Sequence, residues 1–174
     1  RLVEVEGIKW IRVLYSYPEF ITEEIINVFA EEEKICNYFD LPIQHSSTKI
    51  RKLMNRRGNE EDIANIISRI RSKIPDAKIR TSLITGFPGE NRDDFENLKD
   101  FVKKYKFDRL GVFEFSREEG TAAYNLDNRV SEKIKSERKE EIMQLQQEIS
   151  LAKNRELIGR EIEVIIEDQD QENY

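Results

Sequence analysis

The sequence predicts an α/β protein built from parallel βα repeats, with a long charged helix and a short β appendage at its carboxyl end. Three observations predict it. Short apolar segments alternate with amphipathic stretches of helical spacing. The apolar segments are too continuous for a sheet with one wet face. A glycine-proline turn joins one of them directly to a capped helix at Gly86–Asn91.

Taken in order, Arg1–Glu6 reads as a last helical turn stopped by Gly7, and Lys9–Tyr15 as a strand rich in Trp, Ile, Val and Tyr. Thr22 caps a helix whose Ile25, Ile26, Phe29 and Ala30 share a face. Tyr38–Ile43 is the next strand, and Ile63, Ile66, Ile67 and Ile70 mark the helix after it. Lys78–Thr85 precedes a helix carrying Phe95, Leu98, Phe101, Val102 and Tyr105. Arg109–Phe115 precedes a loop and a helix over Glu132–Leu157, with Ile142, Leu145, Ile149 and Ala152 on one stripe. Gly159 ends that helix, and Arg160–Glu167 alternates as a half-buried strand does. Four βα units of this kind suit either an open parallel sheet or part of a barrel. Domain boundaries are expected at 1–156 for the βα array and 157–174 for the start of a β appendage. The absence of an initial methionine and the lone last strand suggest an internal piece of a longer protein.

Charged residues make up 37% and hydrophobic residues 38% of the 174-residue chain, the balance of a soluble globular protein. No apolar run approaches the ~20 residues of a membrane helix, and no secretory leader is expected, so a cytoplasmic location without membrane contact is expected. Cys36 is the single cysteine, which excludes an internal disulfide. The net charge of −6 disfavours a general nucleic-acid binder. Residues 41–75 nevertheless carry 8 Lys/Arg against 3 Asp/Glu, which suits phosphate, an acidic partner or a solvated helix face.

Three segments gather chemistry at strand ends. In Arg80–Glu90 (RTSLITGFPGE), Gly86 and Gly89 permit positive φ or close approach around Pro88, and Asn91 opens a helix with Asp94 three residues on. Such a turn either presents backbone groups to a ligand or is an ordinary βα connection. Leu41–Ser47 (LPIQHSS) collects Gln44, His45, Ser46 and Ser47. His45 has one cysteine nearby and no other histidine, so a hydrogen-bonded role fits it better than zinc. No serine lies in a nucleophile-elbow pattern. In Phe113–Thr121 (FEFSREEGT), Phe113 and Phe115 share a strand face that suits either a flat ring or barrel packing. In a parallel array all three segments end on one edge.

In this order and separation the segments resemble the radical SAM methylthiotransferases. Ile84–Glu90 is similar to the family's fifth-strand signature and Phe115–Thr121 to its sixth strand, and the resemblance covers residues 8–167. Pro42-Ile-Gln-His45, Phe107–Phe113 and Leu145–Ser150 resemble the branch that modifies a ribosomal protein. The tRNA branch usually has Gln-Ser-Gly-Ser where this chain has Gln44-His-Ser-Ser47. Glu90 stands four residues after Gly86, a spacing shared by methylthiotransferases, whereas the general radical SAM pattern has three. Leu157–Glu167 resembles the first strand of the family's TRAM domain.

The resemblance implies part of a partial TIM-like barrel. It also implies S-adenosylmethionine as cofactor, with iron–sulfur clusters held by a three-cysteine loop and by a preceding domain. No such loop occurs here, so no metal ligand is expected from this chain, nor activity from the chain alone. The implied substrate is an aspartate of a small-subunit ribosomal protein; a modified adenosine of tRNA is the alternative. By position, Gln44 and Ser46 would lie near the ribose or amino-acid end of S-adenosylmethionine, Arg80 at its carboxylate, and Ile84, Gly86 and Phe115 around the adenine. A reading of another class is a non-catalytic α/β module that holds a phosphate in the Gly86–Gly89 turn. Oligomeric state is left open by the sequence.

Overall fold

The structure, a computed structural model, describes residues 1–165. Three parallel strands, β1 (Tyr38–Asp40), β2 (Lys78–Thr85) and β3 (Arg109–Glu114), form a sheet in that order. Tyr38 pairs with Lys78 and Arg80 with Arg109 at one end, and Thr85 with Glu114 at the other, so every carboxyl end meets one edge. Beyond β1 the chain stays extended and bridges once more, Gln44 to Leu83. The buried Thr81 hydroxyl, which donates to the Leu41 carbonyl at 2.8 Å, ties this extension to β2.

The helices are α1 (Glu23–Glu31), α2 (Thr48–Leu53), α3 (Glu60–Lys73), α4 (Arg92–Tyr105) and α5 (Glu132–Arg155). Thr22 caps α1, Ser131 caps α5, and Asn59 and Asn91 close full capping boxes with Asp62 and Asp94. Each box satisfies two otherwise orphaned donors, which fixes where the helix starts. The stripes expected on α3 and α4 are buried, save the half-buried Tyr105, against Phe39, Leu41, Ile79, Leu83, Leu110 and Val112 of the sheet. The opposite face carries Arg80, Ser82 and Ile84 from β2 and Arg109, Gly111 and Phe113 from β3, and it is open: Phe113 is 57% exposed. On α5, Ile142 and Ile149 are buried and Leu145 half-buried, but Ala152 is exposed.

Two expected strands differ. Lys9–Tyr15 runs beside residues 34–40 but makes only the isolated parallel bridge of Ile11 to Ile35. Tyr15 turns into positive φ (57°) and Val13 and Leu14 are exposed, so the ladder does not extend. Residues 160–165 form no strand; Ile162, Val164 and Ile165 lie exposed without a pairing partner among the described residues. The remainder of that expected strand, Ile166–Glu167, lies outside the described residues. At the amino end only a 3-10 turn over Leu2–Glu4 forms; it ends at the extended Val5, before Gly7, which has φ 82°.

Candidate functional site at the carboxyl edge

Three strand ends lie side by side because the register carries them there. Gln44 donates its N–H to the Ser82 carbonyl (2.9 Å) and accepts from Ile84 N–H (2.8 Å). Ile84 pairs with Phe113, and Phe115 N–H donates to the Thr85 carbonyl at 2.9 Å. Gln44 is thus bridged to Leu83, one residue before the Ile84–Phe113 pair, and Phe115 follows that pair, edge-on to Phe87 at 4.9 Å between centroids. Gln44 adopts φ 70°, a left-handed conformation costing a side-chain-bearing residue about 1–2 kcal/mol. Its place in the parallel pairing holds it there. A small cavity of about 150 Å³ opens at this edge between Gly86, Pro88, Phe115, Arg117 and Lys135.

Beneath these strand ends, the turn is closed by its own glutamate. Glu90 is buried, and its Oε2 accepts N–H bonds from Gly86 (2.7 Å) and Phe87 (3.3 Å). Its Oε1 accepts from Arg138 of α5 at 2.7 Å. Gly89 N–H donates to the Asn128 carbonyl at 2.9 Å. The amides that a phosphate cradle would need are therefore already engaged. Gly86 has φ 73°, and a Cβ there would lie 2.1 Å from Cγ of Lys135. Its glycine admits the α5 lysine stem, whose Nζ donates to the Phe115 carbonyl at 2.9 Å.

His45 is fully buried beside this carboxylate. Its Nδ1 accepts from Ser47 N–H at 2.9 Å, which places the proton of the neutral ring on Nε2. Nε2 has no hydrogen-bond partner among the described residues and lies 3.8 Å from Oε2 of Glu90. Burial lowers the His45 pKa to about 4, against the pull of Asp94. Burial also raises Glu90, opposed by Arg138 and the two turn amides. His45 is a buried residue that accepts one hydrogen bond, through Nδ1.

The other sequence-selected residues sit further from these strand ends. Ser46 is buried and its hydroxyl donates to Asn97 of α4 at 2.6 Å, away from the open face. Arg80 is on the open face, about 13 Å along the strand from Ile84 at ~3.3 Å per residue. Its Nη1 bonds both oxygens of the buried Asp40, at 2.9 and 3.0 Å. Part of the basic 41–75 block is answered within the fold: Arg51 is buried and donates to the Ile43 carbonyl (2.7 Å), Lys49 pairs with Asp94, and Arg69 with Glu23. Sequence reasoning missed Glu90, Lys135 and Arg138 as a unit; their only sequence signal is the Gly86–Glu90 spacing. An iron–sulfur cluster does not fit the residues present. Cys36 is the one thiol, and no group of three His, Cys, Asp or Glu is placed for a metal among the described residues.

The radical SAM superfamily model matches residues 1–102. The chain belongs to the radical SAM superfamily. Within it, the chain is 54% identical over 172 residues to the ribosomal protein uS12 methylthiotransferase RimO of Clostridioides difficile, covering 99% of this chain and 39% of the relative. It is 53% identical over 163 residues to RimO of Acetivibrio thermocellus, covering 94% and 36%. The chain thus spans about two-fifths of the length of these relatives. Two solved structures share the fold. Streptococcus suis SuiB has a TM-score of 0.56 at 14% identity, covering 79% of this chain and 30% of that one. Methanocaldococcus infernus Elp3, lacking its N-terminus, has 0.51 at 20%, covering 66% and 26%.

Proposed function

We propose that this chain supplies the cofactor-facing wall of a radical SAM methylthiotransferase acting on an aspartate of a small-subunit ribosomal protein. The observation that carries the reading is the convergence of Gln44, Ile84, Phe113 and Phe115 at the carboxyl edge of the sheet, beside its open face. Its aromatic and aliphatic surfaces suit adenine, and the Gln44 amide offers a donor and an acceptor to a ribose. Gly86 shapes that wall by admitting Lys135 behind Phe115. Ser46 acts one layer back, fixing the loop to α4, and Arg80 keeps Nε and Nη2 for a carboxylate while Nη1 holds Asp40. Bound there, S-adenosylmethionine would supply the family's sulfonium chemistry; the iron–sulfur clusters would be ligated elsewhere.

Support for the ribosomal-protein substrate comes from Pro42-Ile-Gln-His45 and from relatives whose names specify uS12. The reading places the protein in the cytoplasm; no helix among the described residues is long and apolar enough to cross a membrane. The phosphate-cradle module loses support because Glu90 occupies the turn amides.

A chimaera in which this chain replaces the matching segment of the C. difficile relative tests the substrate. Mass spectrometry should find one methylthio group on the ribosomal protein and none on tRNA; the reverse pattern would overturn the reading. The chain alone, reconstituted anaerobically with iron and sulfide, should stay colourless and leave S-adenosylmethionine uncleaved. A stable cluster would contradict its assignment as wall only.

A further inference from the structure

The amino edge of the same sheet holds a second concave site that the proposed function does not use. A cavity of about 350 Å³ lies where the strands begin and α5 ends, and Arg12, Tyr38, Lys78, Asp108, Arg109 and Lys153 line it. Four cations therefore face one carboxylate, in a chain whose net charge is −6.

That carboxylate is already committed. Asp108 is buried, its Oδ2 accepts Ile79 N–H at 2.9 Å, and its Oδ1 accepts Lys153 Nζ at 2.8 Å. Lys153 is thereby neutralised, and it also answers the carbonyl end of α5. Lys78 stands 3.9 Å from the same oxygen and is half-exposed. Neither Arg12 nor Arg109 forms a salt bridge among the described residues. Arg109 is held by donating to the Asp108 carbonyl at 3.0 Å, and Arg12 lies 5.4 Å from the Tyr38 ring centroid. Among the described residues, four cations thus share one carboxylate around this cavity, a surplus of three charges, and Arg12 and Arg109 are anchored by contacts that leave theirs unmatched.

Like charges gathered in this way repel, and an anion relieves the repulsion. Two guanidinium groups, an ammonium and a phenol around a cavity of ligand size suit an anion with several oxygens. We infer that this amino-edge pocket binds a phosphate group. The phosphate is carried by a small molecule or by the backbone of RNA, two sources with the same recognised chemistry.

The test is an amide and arginine-side-chain NMR titration of the full chain at constant ionic strength. The probes are inorganic pyrophosphate and a short RNA oligonucleotide without terminal phosphates. Saturable shifts confined to Arg12, Lys78, Arg109 and Lys153 are expected, together with about tenfold weaker binding in the Lys78→Gln/Arg109→Gln variant. Tighter binding of RNA through these residues assigns the phosphate to a nucleic-acid backbone; tighter binding of pyrophosphate assigns it to a small molecule. Non-saturating shifts spread equally over Lys52, Arg56 and Arg57 would overturn the site. So would affinity unchanged in the double variant, whose two exposed side chains leave the core intact.

Discussion

The two edges of one three-stranded sheet treat charge in opposite ways. At the carboxyl edge a single buried carboxylate, Glu90, is matched by Arg138 and by the amides of Gly86 and Phe87, with the neutral His45 ring beside it. At the amino edge, Asp108 accepts from Ile79 N–H and Lys153, with Lys78 3.9 Å away, and this single carboxylate shares a cavity with four cations, Arg12, Lys78, Arg109 and Lys153. Low dielectric makes an unmatched charge costly inside, so the first edge closes on itself; water tolerates the surplus at the second. The carboxyl edge answers its buried charge from within the fold. The unsatisfied edge offers its charge.

Substitutions should separate the edges by size of effect. Glu90→Ala leaves Arg138 and two buried amides without their acceptor and should destabilise the chain by about 3–5 kcal/mol in urea unfolding. Gly86→Ala combines positive φ with a clash against Lys135 and should cost about 2–4 kcal/mol, part of it returned by Lys135→Ala in the double variant. Asn91→Ala, which breaks the capping box of α4, should cost about 1 kcal/mol. At the amino edge, Arg109→Gln should change stability by less than about 0.5 kcal/mol. A loss as large as that of Glu90→Ala would show that the amino edge is also internally satisfied.

The carboxyl edge should also register pH. His45 titrates near 6.5 when unfolded and at about 4 when folded, so the unfolded chain binds the extra proton between those values. The histidine's contribution is therefore present above about pH 6.5 and lost as pH falls towards 4. Glu90, raised in the fold, works in the opposite sense just above its unfolded value. Thermal melts of the wild type should fall from pH 6.5 to 4, and His45→Gln should flatten that decline. An unchanged slope would mean that His45 is protonated in the fold or already solvated.

How far the sequence foretold these edges depends on distance along the chain. β2, the α3 and α4 stripes and the Asn91 cap involve neighbours within a few residues, and their pattern is direct. The strand ends at Gln44, Ile84 and Phe115 were legible because parallel βα order forces their carboxyl ends together. Lys9–Tyr15 misled because composition does not reveal a positive φ at Tyr15. The basic 41–75 block looked available for a partner, yet Arg51, Lys49 and Arg69 are engaged by groups that only the fold brings near. The surplus cations of the amino edge come from positions 12, 78 and 109, spacing that no local pattern connects. Ser46 and Arg80 occupied promising motif positions, and the fold gives them Asn97 and Asp40 as partners.

The division of labour between the edges is tested most directly by titrating the full chain with S-adenosylmethionine and following its amide spectrum. The expected shifts fall on Gln44, Ile84, Gly86 and Phe115, with Lys78, Arg109 and Lys153 unmoved. Shifts centred on the amino edge, or none at the carboxyl edge, would contradict the assignment of the carboxyl edge as the cofactor wall.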